Sequence, residues 1–195
     1  YDTSWCDNNP NAIEFTLNDA ADLAGLAVIV NGLNGHAKDN FADKTIKLAD
    51  NGTFNLSAHT WTPIGTSSSM FAGTFDGSGA TITGLTILDA SGYNGLFAFV
   101  NSATIKNIEL TDGNISLSSE QRTRVGGIVC YATGTTMIEN CSFEGTIDAS
   151  AGSSKEFNNI GGVVAETYSQ VTIKDCQAAG KIFGNGYYMG GIVGY

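Results

Sequence analysis

Four six-residue segments of the chain share one pattern of apolar and polar positions. They are ITGLTI (residues 82–87), IKNIEL (105–110), IENCSF (138–143) and IKDCQA (173–178). Their first, fourth and sixth positions are apolar, whereas a regular half-buried strand would have apolar residues at its first, third and fifth positions. The pattern shifts by one residue at the third position, and this predicts a bend between two short strands.

The third positions hold Gly84, Asn107, Asn140 and Asp175. Glycine, asparagine and aspartate are the residue types that best tolerate the left-handed backbone conformation of a tight corner. The segments begin 23, 33 and 35 residues apart. A corner that returns once per turn is typical of a parallel β-solenoid, and the sequence therefore predicts an all-β fold of this kind.

Stacking of the coils predicts one inward and one outward column of side chains. The inward column consists of Ile82, Ile105, Ile138 and Ile173. The outward column reads Lys106, Glu139 and Lys174. Its alternating signs favour this register over like-charge stacking.

A second repeated element precedes the later segments: GLF (95–97), GIV (127–129), GVV (162–164) and again GIV (191–193). The stretches 112–124 and 148–159 are polar and rich in serine and glycine. We expect both to be loops that leave the coils, where a repeat scaffold usually carries its binding residues.

The first part of the chain predicts one helix and several short strands. Asn18 is the expected N-cap, Leu23, Leu26 and Val30 share one apolar face, and Gly32 is the expected stop. Short strands are expected at residues 12–16, 45–48, 53–56, 70–75 and 80–82. We expect a single domain, with an N-terminal cap at 1–40, initial coils at 41–90 and repeat coils at 91–195, cut from a longer protein.

Composition excludes several classes of partner. The 195 residues contain 9 Lys and Arg against 19 Asp and Glu, for a net charge of −10. No basic surface is therefore expected that would neutralise the phosphates of nucleic acid or the head groups of anionic lipid. The longest apolar run, around residues 23–30, is too short to span a bilayer.

The runs 22–27, 41–48, 61–65 and 71–82, together with the units that end in Gly-Gly-Ile-Val-Gly-Tyr, resemble GLUG-motif repeats of bacterial surface proteins. Such repeats also occur beside the protease domain of immunoglobulin A1 metalloproteases. The resemblance implies a right-handed parallel β-helix, an extracellular location and a role in attachment or spacing, with no catalytic residues inside the repeats. The chain departs from the pattern at Cys130 and at Ala165-Glu166, where Gly-Tyr would be expected.

Metal and cofactor chemistry has little support in the sequence. His36 and His59 are isolated, and no paired Cys-x-x-Cys or His-Glu-x-x-His motif occurs. We expect no metal site and no cofactor. Cys141 and Cys176 occupy the same position in adjacent units, and we expect a reduced, buried pair, although a disulfide remains the alternative.

The main alternative function is a polysaccharide lyase or glycoside hydrolase, because many such reactions use carboxylates placed across a groove. The outward acids are Glu109, Glu139, Glu166 and Asp175. We favour structural roles for them, in a charge ladder or a turn, and expect no enzyme.

The predicted function is a non-catalytic repeat segment of a secreted or cell-surface adhesin-like protein that acts in attachment or as a spacer. Its partner would be a surface glycan or protein, and the segment itself is expected to be a monomer. The candidate binding residues are Arg122, Arg124, Tyr168, Tyr187 and Tyr188. Tyrosines can stack on sugars, although they can also simply cover the edge of the core; arginines in a loop can pair with a carboxylate.

Overall fold

The computed structural model describes residues 1–117, 123–151 and 158–195. The chain forms a parallel β-solenoid of about five turns. Its elements are α1 (Ser4–Asp7), β1 (Glu14–Leu17), α2 (Ala20–Asn31), β2 (Thr45–Leu48), β3 (Thr53–Asn55), β4 (Thr74–Asp76), β5 (Thr81–Thr83), β6 (Thr86–Ala90), β7 (Gly92–Asn94), β8 (Phe97–Asn101), β9 (Thr104–Lys106), β10 (Glu109–Leu117), β11 (Thr123–Gly126), β12 (Val129–Thr133), β13 (Thr136–Glu139), β14 (Ser142–Ala149), β15 (Asn159–Gly161), β16 (Val164–Thr167), β17 (Val171–Lys174), β18 (Gln177–Gly184) and β19 (Tyr188–Gly190).

The strands form four parallel sheets, which we call faces 1 to 4. Face 1 has the order β1-β2-β4-β9-β13-β17, and face 2 has the order β3-β5-β10-β14-β18 with β6 also paired to β10. Face 3 is β7-β11-β15-β19, and face 4 is β8-β12-β16. A complete turn visits the four faces in sequence, as β9, β10, β11 and β12 do, before β13 returns to face 1.

The predicted stacking of Ile105, Ile138 and Ile173 is confirmed on the inner side of face 1, where each is the direct register partner of the next. The preceding member of this column is Phe75, which pairs with Ile105. The prediction for Ile82 was wrong, because Ile82 lies on face 2 and pairs with Leu110. Burial of each large side chain in such a column stabilises the fold by roughly 1.5–3 kcal/mol.

The predicted corners are left-handed, as expected. Asn107, Asn140 and Asp175 have φ values of 55°, 51° and 51°, and they stack at the junction of faces 1 and 2. Gly84 is also left-handed, with φ 70°, but it belongs to a second corner within face 2. Its N–H donates to the carbonyl of Thr111 at 3.0 Å, which places it beside the left-handed Asp112 and corrects the predicted alignment.

At the corner between faces 1 and 2, side-chain amides link each coil, or rung, of the solenoid to the next. Asn140 Nδ2 donates to Asn107 Oδ1 at 2.9 Å, and Asn107 Nδ2 donates to Asp76 Oδ1 at 2.9 Å. Asparagine thus serves both the backbone conformation and the contact between coils.

The outward column of face 1 is longer than predicted. We call it the charge ladder: Lys47, Asp76, Lys106, Glu139 and Lys174 are successive register partners. Lys174 Nζ lies 2.7 Å from Glu139 Oε1, and Lys106 Nζ lies 3.1 Å from Asp76 Oδ2. An exposed pair such as Lys174–Glu139 contributes about 0–1 kcal/mol, whereas the side chain of Asp76 is only 14% exposed.

The predicted helix is α2, and its N-cap is one residue later than expected. Asp19, not Asn18, accepts hydrogen bonds from the N–H groups of Ala21 and Asp22 at 2.8 and 3.0 Å. Gly32 ends the helix with φ 68°, as predicted. Burial extends beyond the predicted apolar face to Val28 and Ile29, because α2 packs against the first rungs.

The two polar stretches are loops over less of their length than predicted. Strand β10 continues through residues 112–117, and strand β11 already begins at Thr123. In the same way β14 extends to Ala149 and β15 begins at Asn159. Residues 118–122 and 152–157 lie outside the described part of the chain. The stretch 70–75 also contributes little strand, since β4 begins only at Thr74.

Within the described residues, no helix combines the length and the apolar character that crossing a membrane requires.

Candidate functional site

Pairs of glycines create a recurring bend between faces 3 and 4. Val125 and Ile160 point into the core, so the next residues, Gly126 and Gly161, point outward. A Cβ atom on Gly126 would lie 1.9 Å from the carbonyl oxygen of Val129, and one on Gly161 would lie 1.8 Å from that of Val164. The chain therefore bends toward its own outer side here, and we call this junction the concave corner.

Two outward rows of side chains meet at the concave corner. The face 3 row is Tyr93, Arg124, Asn159 and Tyr188, each the register partner of the next. The face 4 row is Phe99, Tyr131, Glu166 and Tyr195. The last position follows from the backbone, because Tyr195 N–H donates to Ala165 and its carbonyl accepts from Thr167 N–H, both at 2.9 Å.

Aromatic rings occupy both ends of the two rows. Tyr93 and Phe99 have ring centroids 4.4 Å apart, and Tyr188 and Tyr195 have centroids 4.8 Å apart. Tyr131 stacks on Tyr168 with centroids 5.1 Å apart and an interplanar angle of 25°. Each of these two rings therefore covers one face of the other.

An ion pair lies between the aromatic ends. Arg124 Nε donates to Glu166 Oε1, and the guanidinium carbon lies 4.6 Å from the ring centroid of Tyr93. The side chains of Arg124 and Glu166 are only 13% and 2% exposed. Asn159 Nδ2 donates to the same carboxylate oxygen at 2.5 Å. The pair is thus withdrawn from water and satisfied from two sides, as a buried carboxylate requires.

The surroundings of the ion pair affect neighbouring groups. Burial raises the pKa of the Tyr93 hydroxyl, partly offset by the charge of Arg124. The pKa of Tyr168 is also raised, first by partial burial and then by the charge of Glu166. Asn159 Oδ1 is buried and has no hydrogen-bond partner among the described residues.

The structure brings some of the predicted binding residues together. Arg124 belongs to β11 rather than to a loop, and its guanidinium is engaged by Glu166 and Tyr93. Tyr168, Tyr187 and Tyr188 are exposed. The ring centroid of Tyr187 lies 4.8 Å from that of Tyr188. We call Tyr168, Tyr187, Tyr188 and the equally exposed Tyr195 the tyrosine patch. Arg122 lies outside the described residues.

The acids considered for an enzymatic alternative have individual structural contacts. Glu139 pairs with Lys174, and Asp175 lies 3.4 Å from the same ammonium. Glu109 is exposed and accepts a long hydrogen bond of 3.5 Å from Thr81. Glu166 is the buried partner of Arg124. Each of these carboxylates thus has a polar contact within the solenoid.

All four cysteines lie in described parts of the chain and are free. Cys130 is fully buried on β12, and burial strongly raises the pKa of its thiol. Within the described residues, no cluster of three or more His, Cys, Asp or Glu side chains is arranged to hold a metal ion.

The paired charges of the concave corner were missed from the sequence, although a signal was present. The face 3 row begins with Tyr93 and ends with Tyr188, but Arg124 lies between them. Glu166 stands where the flanking units of the face 4 row have Tyr131 and Tyr195. The chain thus departs from its own repeat at Arg124 and Glu166, which contact each other, and the negative charge of Glu166 compensates the positive charge of Arg124.

A family model described as the GLUG motif matches residues 121–148. The matched range contains the glycine pair Gly126-Gly127 of one concave bend and the left-handed corner at Asn140. The resemblance of these repeats to the GLUG motif is therefore confirmed over this range. No curated protein and no solved structure matches the chain.

Proposed function

We propose that this β-solenoid with a GLUG motif is a non-catalytic segment of a secreted or cell-surface, adhesin-like bacterial protein. Its role is attachment to a surface glycan or protein, and the tyrosine patch is the contact surface. The acids have structural contacts, so the proposal assigns them no chemical step.

The observation that carries the proposal is the exposure of the four tyrosines beside a corner whose charges are neutralised. Tyr187, Tyr188 and Tyr195 contact one another in sequence, and the backbone pairing of Thr167 with Tyr195 places Tyr168 close to them. Tyrosine offers a large apolar ring and a hydroxyl at low cost in side-chain entropy, and it is enriched at binding surfaces. Solvated aromatic rings of this number favour a partner over a bare spacer.

The chemistry of the patch favours a neutral ligand. Arg124, the cation that the described residues place at this corner, is paired with Glu166, and the chain carries a net charge of −10. Within the described part of the chain an acidic glycan would meet no unpaired positive charge at this corner, and the net charge of the molecule would repel it.

A glycan array that contains neutral and acidic oligosaccharides, with host-matrix proteins as a second panel, tests the proposal. We expect binding that falls at least tenfold in Tyr168→Ala and in Tyr188→Ala. Tyr1→Ala is the matched control, because Tyr1 is as exposed as the patch but lies in the N-terminal region; it should leave binding unchanged. Equal losses in all three variants would contradict the assignment of the patch.

A spacer without any ligand is the second candidate, favoured by the regular stacking of the coils. Absence of binding on both panels at high protein concentration would contradict the attachment role and support the spacer role. Release of reducing ends or unsaturated sugars by the wild-type chain, abolished in Glu166→Gln, would instead establish an enzyme.

A further inference from the structure

Cys141 and Cys176 lie one above the other on adjacent rungs. Each follows a left-handed corner residue, Asn140 or Asp175. The residues on both sides are register partners: Glu139 pairs with Lys174, and Ser142 pairs with Gln177. Adjacent strands are about 4.7–4.9 Å apart, and this lies within the range of about 4.4–6.8 Å between the Cα atoms of a disulfide.

The two thiols have equivalent local contacts. Cys141 Sγ lies 3.3 Å from the carbonyl oxygen of Glu139, and Cys176 Sγ lies 3.2 Å from that of Lys174. The register of the flanking residues places the two side chains next to each other on neighbouring rungs. Cys141 is buried, whereas Cys176 is half-exposed. A small reagent can therefore reach Cys176 first, with Cys141 directly behind it.

We propose that Cys141 and Cys176 form a modification site that reacts with small-molecule disulfides and closes to a disulfide between neighbouring rungs. The Cys176 thiolate attacks one sulfur of the reagent, forms a mixed disulfide and releases one thiol. Cys141 loses its proton to solvent and its sulfur attacks Cys176, which releases the second thiol. Two protein thiols are oxidised and one reagent disulfide is reduced, so electrons and atoms balance.

The electrostatics of the pair support this order of attack. Hydrogen bonding from the Cys141 thiol lowers the pKa of Cys176. Hydrogen bonding to Cys176 and burial raise the pKa of Cys141. The thiolate is the reactive form of cysteine. Cys176 is thus the attacking residue and Cys141 the resolving one.

Closure requires one change of side-chain rotamer, because the two thiols now point the same way. Cys176 is the residue that can rotate, since it is half-exposed and the Cys141 side chain is enclosed. The resulting bond would join two residues 35 positions apart in the chain and hold the last two rungs of face 1 together.

Peptide mapping by mass spectrometry of the full chain, after treatment with oxidised glutathione, tests the proposal without any variant. We expect a Cys141–Cys176 cross-linked peptide that has lost two hydrogens, and an unmodified Cys130. Cys6 is the internal control, because it is also half-buried but its pKa is raised, first by burial and then by Asp39. At pH 7, iodoacetamide should modify Cys176 about tenfold faster than Cys6, because far more of Cys176 is thiolate, an advantage partly offset by the lower nucleophilicity of a thiolate whose pKa is low.

Two variants separate the attacking from the resolving thiol. Cys141→Ser should stop the reaction at a glutathione adduct on Cys176 and keep most of its alkylation rate, because the serine hydroxyl still donates. Cys141→Ala should slow that alkylation. A wild-type chain that stops at the glutathione adduct, or a Cys176 no more reactive than Cys6, would overturn the proposal.

Discussion

The Lys174–Glu139 pair on face 1 remains in water, whereas the ion pair at the concave corner is withdrawn from it. The side chains of Lys174 and Glu139 in the charge ladder are 59% and 32% exposed, compared with 13% and 2% for Arg124 and Glu166. Both surfaces bring oppositely charged side chains together, the charge ladder on neighbouring strands of one face and the concave corner across two faces. The two surfaces differ in curvature, because the glycine pairs bend faces 3 and 4 toward each other and this bend excludes solvent.

The comparison teaches that the same repeat can use a charge pair for two purposes. On the open face each pair is worth little and is screened by salt. In the concave corner the attraction is stronger but desolvation opposes it, so the pair is costly to break and of small net benefit to keep. Three substitutions would sharpen or break this contrast.

The largest effect is expected for Gly161→Ala, which should destabilise the fold by about 4 kcal/mol or more. The new Cβ would lie 1.8 Å from the carbonyl oxygen of Val164, and backbone on both sides prevents relief. Urea unfolding measures the loss. Gly191→Ala is the control, because no atom lies within 4 Å of a Cβ at that position. A similar loss in both variants would show that steric closure of the bend is not the cause.

The next effect is expected for Arg124→Met, with a loss of about 3 kcal/mol at pH 7 because Glu166 is left buried without its cation. The double variant Arg124→Met, Glu166→Leu should recover most of this loss, since it removes both charges. Chemical unfolding of the single and double variants measures the coupling. If the double variant were as unstable as the single one, packing rather than charge would be the dominant contribution of Arg124.

The smallest effect is expected in the charge ladder, at Asp76. Its burial opposes ionisation, but hydrogen bonds from Asn107 and Ser78 and the charge of Lys106 outweigh this, and the pKa of Asp76 lies below its ordinary value. A carboxylate with a lowered pKa stabilises the fold above its unfolded pKa, and this stability is lost as the pH falls through the folded value.

Asp76→Asn should therefore cost about 1 kcal/mol of folding stability at pH 7. The variant should also lose less stability than the wild-type chain as the pH falls from 5 into the acid range; the pKa of an unfolded Asp is about 3.9. Thermal unfolding as a function of pH measures both. Glu139→Gln, in the exposed part of the same ladder, should change stability by less than about 1 kcal/mol. Equal pH dependence of Asp76→Asn and the wild-type chain would exclude Asp76 as the titrating group.

The solenoid could be predicted because its signal is local and repeated. A residue type that tolerates the left-handed conformation lies between two short alternating segments at Asn107, Asn140 and Asp175. The predicted column through Ile105, Ile138 and Ile173 follows from this pattern. The error at Ile82 has the same origin. Within face 2 a second left-handed corner at Gly84 is followed by a similar run, and six residues do not distinguish one corner of a rung from another.

The concave corner could be predicted only in part, because its contacts join residues that are far apart in the chain. The glycine pairs are recognisable as a repeat, but nothing in a single repeat shows that the first glycine of each pair faces outward. Arg124 and Glu166 are separated by 42 positions. Their contact depends on the register of β11 with β15 and of β12 with β16, which the sequence does not state.

The two rows at the concave corner have a consequence for how such a protein can change over time. Each rung contributes one outward residue to each row, while its inward neighbours hold the fold. Duplication of one repeat would thus lengthen the corner by about 4.8 Å and add two side chains free to vary. The glycine pair keeps the bend between the two rows fixed, so the outward side chains could change one at a time while the core of the solenoid stays the same.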